Sequence, residues 1–383
     1  MKILLIGAGL MAHAVAYALV KHSELTELVI VDRERERAEG IAARLADRRI
    51  SVQRLDVSAP RAVREAMQGC AVAISAVPYF FNLSLAAAAV DCGVHFCDLG
   101  GNNRIVESEF ALSEKAEQAG VALVPDCGLA PGLVNVLTAG TIEGMTEIDT
   151  VTIRVGGLPQ VPRPPLDYQI VFSPYGLINE YMEPAMVIRD GEIVQVPSLT
   201  GREELSFPAP YDRLEAFHTS GGSSTLPKTL RGRVRNLDYK TIRYRGHLEK
   251  IKAMADLGFF DEQPLEIDDQ AIVPRELAVH LLGEHLSFNE PDVVLLDVTA
   301  RGRTDGGGRE VSYRMIDTYD ETADLSAMQR STGFPVAQIA FLLAMGEITA
   351  RGALEQERSV PVELFLQGLR EQGLRIERTE MTR

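Results

Sequence analysis

Lys2–Ile6 is a short apolar run that stops at Gly7-Ala8-Gly9-Leu10-Met11-Ala12, and Asp32 stands twenty positions beyond Ala12 at the end of the next apolar run. Nothing else in the chain restricts the fold so tightly. A strand that feeds a G-x-G-x-x-A turn and opens a helix is half of a βαβ unit, and an acidic residue ending the second strand completes a dinucleotide-binding fingerprint. Gly7 permits the tight turn, Gly9 lets the backbone approach a pyrophosphate, and Ala12 keeps helix and strand close. Leu10 and Met11 lie within the same turn, so the pyrophosphate is expected on the amides of the helix that follows. Asp32 is expected to accept hydrogen bonds from the adenosine ribose, which favours NAD. Arg33 and Arg35 leave NADP open, because an arginine here can neutralise a 2′-phosphate. A strand–turn–helix with no ligand is the plain alternative.

The alternation continues. Strands are expected at Lys2–Ile6, Leu28–Val31, Ser51–Leu55, Ala71–Ala76, His95–Cys97 and Val121–Val124, with helices at Met11–Lys21, Glu34–Ala46, Pro60–Met67, Leu83–Asp91 and Ser108–Glu117. Strand–helix alternation of this kind builds a parallel sheet covered on both faces. Ligands bind beyond the carboxyl ends of such strands. That places Asp56 and Val57 beside the adenine, and Ala76, Val77 and Pro78 beside the nicotinamide ribose.

Near Pro131 the pattern changes. Thr150–Val155, Tyr168–Phe172, Met186–Ile188, Ile193–Val196, Leu237–Tyr244, Val293–Arg301 and Arg309–Asp317 resemble strands without a helix after each. Asp190-Gly191 suits a type I′ hairpin, and Gly302–Gly308 a longer loop. Helices are expected at Leu177–Tyr181 and His247–Leu257, then at Phe334–Met345 and Val362–Glu371. The fold class is therefore α/β: a doubly wound Rossmann domain (1–130), an α+β substrate and dimerisation domain with a mostly antiparallel sheet (131–324), and C-terminal helices packing back on the first domain (325–383). Such a re-entrant chain is expected to enclose a cleft that shields a substrate from water.

Composition narrows the function. A formal charge of −15 and a pI near 5.0 argue against nucleic acid as a partner, because phosphate needs a basic surface. The four cysteines, Cys70, Cys92, Cys97 and Cys127, form no C-x-x-C pair, and only 7 His occur, so no metal site is expected. The opening apolar stretch is broken by Gly7-Ala8-Gly9, so it fits strand and turn better than a signal peptide. A cytoplasmic protein without a membrane span is expected, and a homodimer by base rate.

From Asp126-Cys127-Gly128-Leu129-Ala130-Pro131-Gly132-Leu133-Val134-Asn135 onward the chain resembles the saccharopine dehydrogenase-like superfamily. Val155–Pro159, Pro162–Tyr168, Ser173-Pro174 through Leu177-Ile178 to Glu180-Tyr181, Gly246–Lys252 and Leu257–Phe260 are similar to the L-lysine 6-dehydrogenase family within it. The resemblance runs in blocks from Ile3 to about Met345. It implies NAD-dependent oxidative deamination of the lysine ε-amine to the 6-semialdehyde, which cyclises to a piperideine carboxylate. It also implies that Arg243, in an Arg-Tyr-x-Gly pattern, lies near the substrate carboxylate. Tyr79 after Pro78, where a small residue would leave more room, and Ser223-Ser224 depart from the family pattern.

Amine oxidation requires loss of a proton from nitrogen before hydride removal, so the site needs a base. His247, in the first turn of its helix, is the first candidate, and Lys250 the second; a packing histidine and a solvated lysine are the alternatives. Arg243 suits the carboxylate, and Tyr244 either orients substrate or fills the sheet. Asp98 opens Asp98-Leu99-Gly100-Gly101-Asn102 at the carboxyl edge of the parallel sheet, so Asp98 and Asn102 are expected near the nicotinamide or the ammonium, with an Asx turn as the alternative. Tyr79, Asp126, Gly128 and Thr225 complete the expected substrate site, and His218 and Ser223 are lesser candidates. A saccharopine- or opine-type enzyme that joins an amine to a keto acid is the rival; its extra carboxylates would call on Arg163, Arg213 or Arg231. A non-catalytic NAD(H) sensor is the third reading.

Overall fold

The computed structural model describes residues 1–288 and 290–382 and divides the chain into two compact units: 1–140 with 329–376, and 141–328 with the residues from 377 onward. Neither boundary coincides with the expected ones. The first cut falls inside the helix Leu133–Ile142, and the C-terminal segment is itself divided, its last residues joining the second unit as a strand.

In the first unit, β1 (Lys2–Ile6), β2 (Glu27–Asp32), β3 (Ile50–Arg54), β4 (Val72–Ser75), β5 (His95–Asp98) and β6 (Ala122–Val124) stand in the order β6-β5-β4-β1-β2-β3, with the short strand Gly352–Ala353 outside β6. Every pairing is parallel. The central strands are Leu, Ile and Val runs because helices cover both faces, and Ile3, Leu4, Leu5 and Ile6 are fully buried. Strand order reverses between β1 and β4, which opens a crevice at their carboxyl ends. One expected helix is two: Asn103–Phe110 and Ser113–Gln118 are separated at Ala111-Leu112.

In the second unit a nine-stranded sheet contains β7 (Glu147–Pro159), β8 (Ala185–Arg189), β9 (Glu192–Val196), β10 (Glu203–Leu205), β11 (Leu214–Phe217), β12 (Val234–Tyr244), β13 and β14 being a separate hairpin (Leu265–Ile267, Gln270–Ile272), then β15 (Asp292–Thr304), β16 (Gly307–Thr318) and the strand Glu377–Thr382. The main path is β10-β11-β12-β7-β15-β16, ending on Glu377–Thr382. Only β12 and β7 run parallel; the other pairings are antiparallel, which makes the sheet mixed but mostly antiparallel. Arg189 pairs with Glu192 across Asp190 (φ 48°) and Gly191 (φ 86°), the two left-handed residues a type I′ turn requires. Helices Pro174–Met182, His247–Asp256 and Pro274–Leu286 contribute to one core with Tyr168, Tyr181, Phe217, Ile242, Ile251 and Leu282.

No helix among the described residues is long and apolar enough to cross a membrane.

Candidate functional site

At the crevice of the first unit, Gly7 sits at φ +101°, where a Cβ would lie 2.8 Å from the Ala76 carbonyl oxygen and 2.9 Å from Val77 Cγ1. Only glycine fits there. Gly9 differs: it is exposed, its φ is outside the left-handed region, and a Cβ would meet nothing nearer than the Ala76 oxygen at 3.9 Å. The space above Gly9 is open to whatever approaches the turn. Helix Ala12–Val20 starts with Met11 at its N-cap, without a side-chain cap or an acidic residue in its first turn, and Ala12 is fully buried. The Ala12 amide donates to the Gly9 carbonyl at 3.2 Å, and a helix start without a side-chain cap beside an open glycine suits a phosphate group. Leu10 is 69% exposed on the same turn.

Asp32 ends β2 and ties the crevice together: Oδ2 accepts the Ala8 amide at 2.7 Å and Oδ1 the Glu34 amide at 2.8 Å. Each oxygen keeps a lone pair for a ribose hydroxyl. Arg33 is exposed beside Glu34 and Arg35 is paired with Glu39, so both guanidinium groups have carboxylates of their own. Asp56 is exposed; its carboxylate accepts from the Ser58 hydroxyl and amide, and these bonds hold it below the usual aspartate range. Val57 is partly buried, Ala76 donates its amide to Ile6, and Pro78 caps the short turn Tyr79–Phe81.

The loop after β5 departs from expectation. Asp98 is fully buried, and its Oδ1 accepts the Gly100 amide at 2.6 Å and the Asp126 amide at 3.3 Å. This is the Asx-turn arrangement, with the carboxyl beneath the loop rather than presented to a ligand. Oδ2 and both Glu109 carboxyl oxygens find no other donor among the described residues, and the two carboxyl groups lie within hydrogen-bond reach of each other, a protonated Glu109 donating to Asp98. Burial, and then the charge of Asp98, push the Glu109 carboxyl well above its ordinary range; burial raises Asp98 as well. Asn102 is likewise structural: its side chain caps helix Asn103–Phe110 by accepting from Arg104 and Ile105. Tyr79 packs against Gly101, where a Cβ would lie 3.2 Å from the tyrosine Cβ. Asp126 is buried at φ 61°, and Gly128 bridges Gly132 in the turn before helix Leu133–Ile142. Burial raises the Cys127 thiol far above neutrality, its sulfur donating to Val124 oxygen, so it is no nucleophile at neutral pH.

The second unit builds a polar cluster inside its core. Arg243, on β12, is buried, with its guanidinium 4.5 Å from the Tyr168 ring centroid. Its Nε–H donates to the Tyr181 hydroxyl at 3.1 Å and its Nη1–H to the Ile242 carbonyl at 2.9 Å. It forms no ion pair among the described residues, whereas buried Arg154 on β7 pairs with Asp238 and Glu203. A desolvated guanidinium without a carboxylate is costly unless something supplies one. The Tyr181 hydroxyl donates in turn to His247 Nε2 at 3.0 Å, and His247 Nδ1–H donates to the Leu166 carbonyl at 2.9 Å.

Those two bonds correct the role expected of His247. Both ring nitrogens are engaged, and burial, with Arg243 next, pushes its pKa down to about 3. A neutral, fully bonded imidazole of that acidity is a poor base at pH 7; it orients Tyr181, which orients Arg243. Lys250 is corrected too. Its ammonium is bound by Asp167 Oδ2 at 3.1 Å and the Pro165 carbonyl at 2.5 Å, on a half-exposed face of the helix. Tyr244 donates to the Pro159 carbonyl at 2.8 Å and so clamps β7, and Thr225 occupies the N-cap of the helix Leu226–Leu230. His218 and Ser223 are buried in the same unit, His218 with Nδ1 3.3 Å from the Tyr239 carbonyl.

Sequence reasoning singled out neither Tyr181 nor Tyr168 nor Glu180. Tyr168 is buried and its hydroxyl has no hydrogen-bond partner among the described residues. Burial pushes the Glu180 carboxyl up to about 7, with Arg243 pulling the other way. The only signal was that these residues fell in the blocks carrying the resemblance, where no role attached to them. Among the described residues there is no group of three or more His, Cys, Asp or Glu side chains fit to hold a metal ion.

Comparison with known proteins agrees with this architecture. Residues 3–124 match the family model described as saccharopine dehydrogenase NADP binding domain, and residues 128–374 that described as saccharopine dehydrogenase C-terminal domain. The chain is 23% identical over 351 residues to mitochondrial alpha-aminoadipic semialdehyde synthase of Bos taurus, aligning with 73% of this chain but only 37% of that protein. It therefore spans well under half the length of that relative. It is 22% identical over 394 residues to carboxyaminopropylagmatine dehydrogenase of a Synechocystis species, covering 97% of this chain and 96% of the other. Apo saccharopine dehydrogenase (L-Glu forming) from Saccharomyces cerevisiae has the same fold, with a TM-score of 0.82 at 19% identity and full coverage of both chains. With both halves of the family's architecture matched from Ile3 to Leu374, the chain belongs to the saccharopine dehydrogenase family.

Proposed function

We propose that the protein is an NAD-dependent dehydrogenase that oxidises the ε-amine of L-lysine, or the terminal amine of a close ω-amino acid, to the 6-semialdehyde, which cyclises to a piperideine carboxylate. The observation that carries this reading is buried Arg243, held by Tyr181 and Ile242 yet without a carboxylate partner among the described residues. A carboxylate-bearing substrate completes that ion pair in a fork geometry lysine could not offer. Family membership and the lysine 6-dehydrogenase-like stretches support amine oxidation.

The bound nicotinamide supplies the hydride acceptor. The protein's part begins with a neutral amine: a free alkylammonium, with pKa near ~10.4, has no lone pair to assist C–H cleavage. Once the hydride has left the carbon, water adds to the iminium and ammonia departs. The Asp32 carboxylate, where a 2′-phosphate would meet a like charge, supports NAD over NADP, although Arg54 is its register neighbour on β3 and the matching family model is described as NADP binding.

Dehydrogenation of a secondary amine of the saccharopine kind is the second reading, favoured by the family models and relatives. Saccharopine carries more carboxylates than lysine. Of the arginines that would have to receive them, all exposed, Arg163 and Arg231 are paired with Glu290 and Glu192, whereas Arg213 forms no ion pair among the described residues. The test is a panel of L-lysine, L-ornithine, 6-aminohexanoate and saccharopine with NAD and NADP, followed at 340 nm. Reduction with lysine and NAD is expected. Turnover of saccharopine alone gives the second reading its place, and no turnover at all removes both. In the same panel Asp32→Ala is expected to lose the preference for NAD over NADP; retained selectivity removes the ribose assignment.

A further inference from the structure

We infer that the second unit carries a site for an α-amino acid head, in which Arg243 takes the carboxylate and Glu180 takes the α-ammonium, so that Glu180 sets a preference for α-amino acids over simple ω-amines. The inference deepens the proposed function and rests on its assignment of Arg243.

Two opposite charges stand near each other here without pairing. Glu180 lies on the helix Pro174–Met182, one residue before Tyr181, whose hydroxyl accepts from Arg243. Its backbone carbonyl accepts the Ser220 amide at 2.9 Å, which ties the helix to the chain leaving β11. Yet the Glu180 carboxylate makes no ion pair or hydrogen bond among the described residues. Other buried or half-buried glutamates of this unit are fully used: Glu203 binds Arg154 and Lys240, and Glu215 binds Arg202 and the amides of Gly246 and Leu248. Arg243 is close enough to act on Glu180 electrostatically, but not close enough to form a salt bridge.

An unpaired buried cation and an unpaired, partly buried anion held apart from it are the complement of a zwitterion. Left alone, buried Arg243 carries a desolvation cost, while the partly buried Glu180 carboxylate stays open to a ligand; one that presents carboxylate and ammonium on one carbon pairs both. A third orphan sits beside them, the buried Tyr168 hydroxyl, whose ring stacks on Arg243. It adds a donor for the second carboxylate oxygen. A diamine would satisfy Glu180 and leave Arg243 unpaired, and an ω-amino acid lacking the α-amine would do the reverse.

The groups that face Glu180 are Arg243 and Tyr239 from β12, Tyr168 from the segment before the helix, and Tyr181 from its own helix. Burial, countered by Arg243, places its carboxyl near neutrality, about 7, so a neutral Glu180 fails to balance an ammonium as pH falls through that range.

The experiment is calorimetric titration of the full chain with L-lysine and with 6-aminohexanoate, which lacks the α-amine, in wild type and Glu180→Gln. Wild type is expected to bind L-lysine about 10- to 100-fold more tightly, the worth of one charge-assisted hydrogen bond. Glu180→Gln is expected to erase that ratio by weakening L-lysine alone. The wild-type ratio is expected to shrink as pH is lowered through about 7, and the variant to show no such dependence. A variant that keeps the ratio overturns the inference. So does one that loses both ligands equally, which would mean a structural role, or one that keeps the ratio and loses kcat, which would make Glu180 a proton-transfer group. Wild type that binds L-lysine without oxidising it refutes the proposed reaction and leaves the head site to the ratio. Wild type that binds neither ligand overturns both.

Discussion

Arg243→Gln is expected to raise KM for L-lysine by about 30- to 4,000-fold while NAD(H) affinity stays at the wild-type level. The magnitude follows from losing a buried, fork-shaped ion pair, which costs roughly 2–5 kcal/mol, at 1.4 kcal/mol per tenfold change. Glutamine ends with an amide N–H about where the arginine Nε stands, so the polar chain from residue 243 through Tyr181 to His247 retains a donor while the guanidinium head is removed. Arg243→Lys separates charge from shape: it restores a point charge but not two parallel N–H bonds, and partial recovery is expected. An unchanged KM with unchanged stability would remove Arg243 from substrate binding. A lowered melting temperature with KM intact would make it a core cation stacked on Tyr168.

The second large effect concerns Gly9. Gly9→Val is expected to leave the melting temperature of the ligand-free protein close to wild type and to weaken dinucleotide binding by at least about 100-fold. The two halves have separate causes. A side chain at Gly9 has room, with the nearest atom 3.9 Å from its Cβ, and its backbone is not left-handed. The same side chain would occupy the space a pyrophosphate needs to reach the helix N-terminus. Gly7 cannot provide this separation, because its φ of +101° and the 2.8 Å approach to Ala76 make any substitution there a folding defect as well.

How much of this was legible in sequence depends on whether the signal was local. Strands β1 to β6 were within a residue or two of their observed ends, because strands buried on both faces are apolar runs cut off by turn residues, whereas Gly352–Ala353 and Glu377–Thr382 carry no such run and were not expected. Asp190-Gly191 specified its hairpin for the same kind of reason. Local signals also misled. The glycines from Gly302 to Gly308 suggested a long loop, yet Thr304 pairs with Gly307 and the turn is only Asp305-Gly306. Tyr168–Phe172 has a strand-like composition but forms no strand: Ile170 donates its amide to Leu286 at a helix end, and the Gln169 side chain to the Glu290 carbonyl. The helix Pro274–Leu286 was missed although Ala278, Leu282 and Leu286 recur on its buried side, because Leu277 and Leu281 on the exposed side blur the period.

The site followed the same division. Gly7, Gly9, Ala12 and Asp32 are tied together by one βαβ unit, so spacing alone found them. Tyr168, Glu180, Tyr181, Arg243 and His247 come from three separate segments, and no spacing rule predicts which of their polar atoms meet. His247 was proposed from its position at a helix start, but its acidity is set by burial and then by Arg243 four residues before it, while its hydrogen-bond partners Leu166 and Tyr181 are remote in sequence. Asp98 illustrates the reverse, since the Asx turn weighed against a functional role is what its carboxyl forms.

The central claim is that the amides above Gly9 hold the coenzyme. Titration of wild type and Gly9→Val with NADH, followed by the change in the coenzyme's own fluorescence, tests this most directly. The account predicts saturable binding to wild type and none at the same concentrations to a variant of equal melting temperature. A variant that binds as tightly as wild type, or a wild type that leaves the fluorescence unchanged with NADH and NADPH alike, would contradict it.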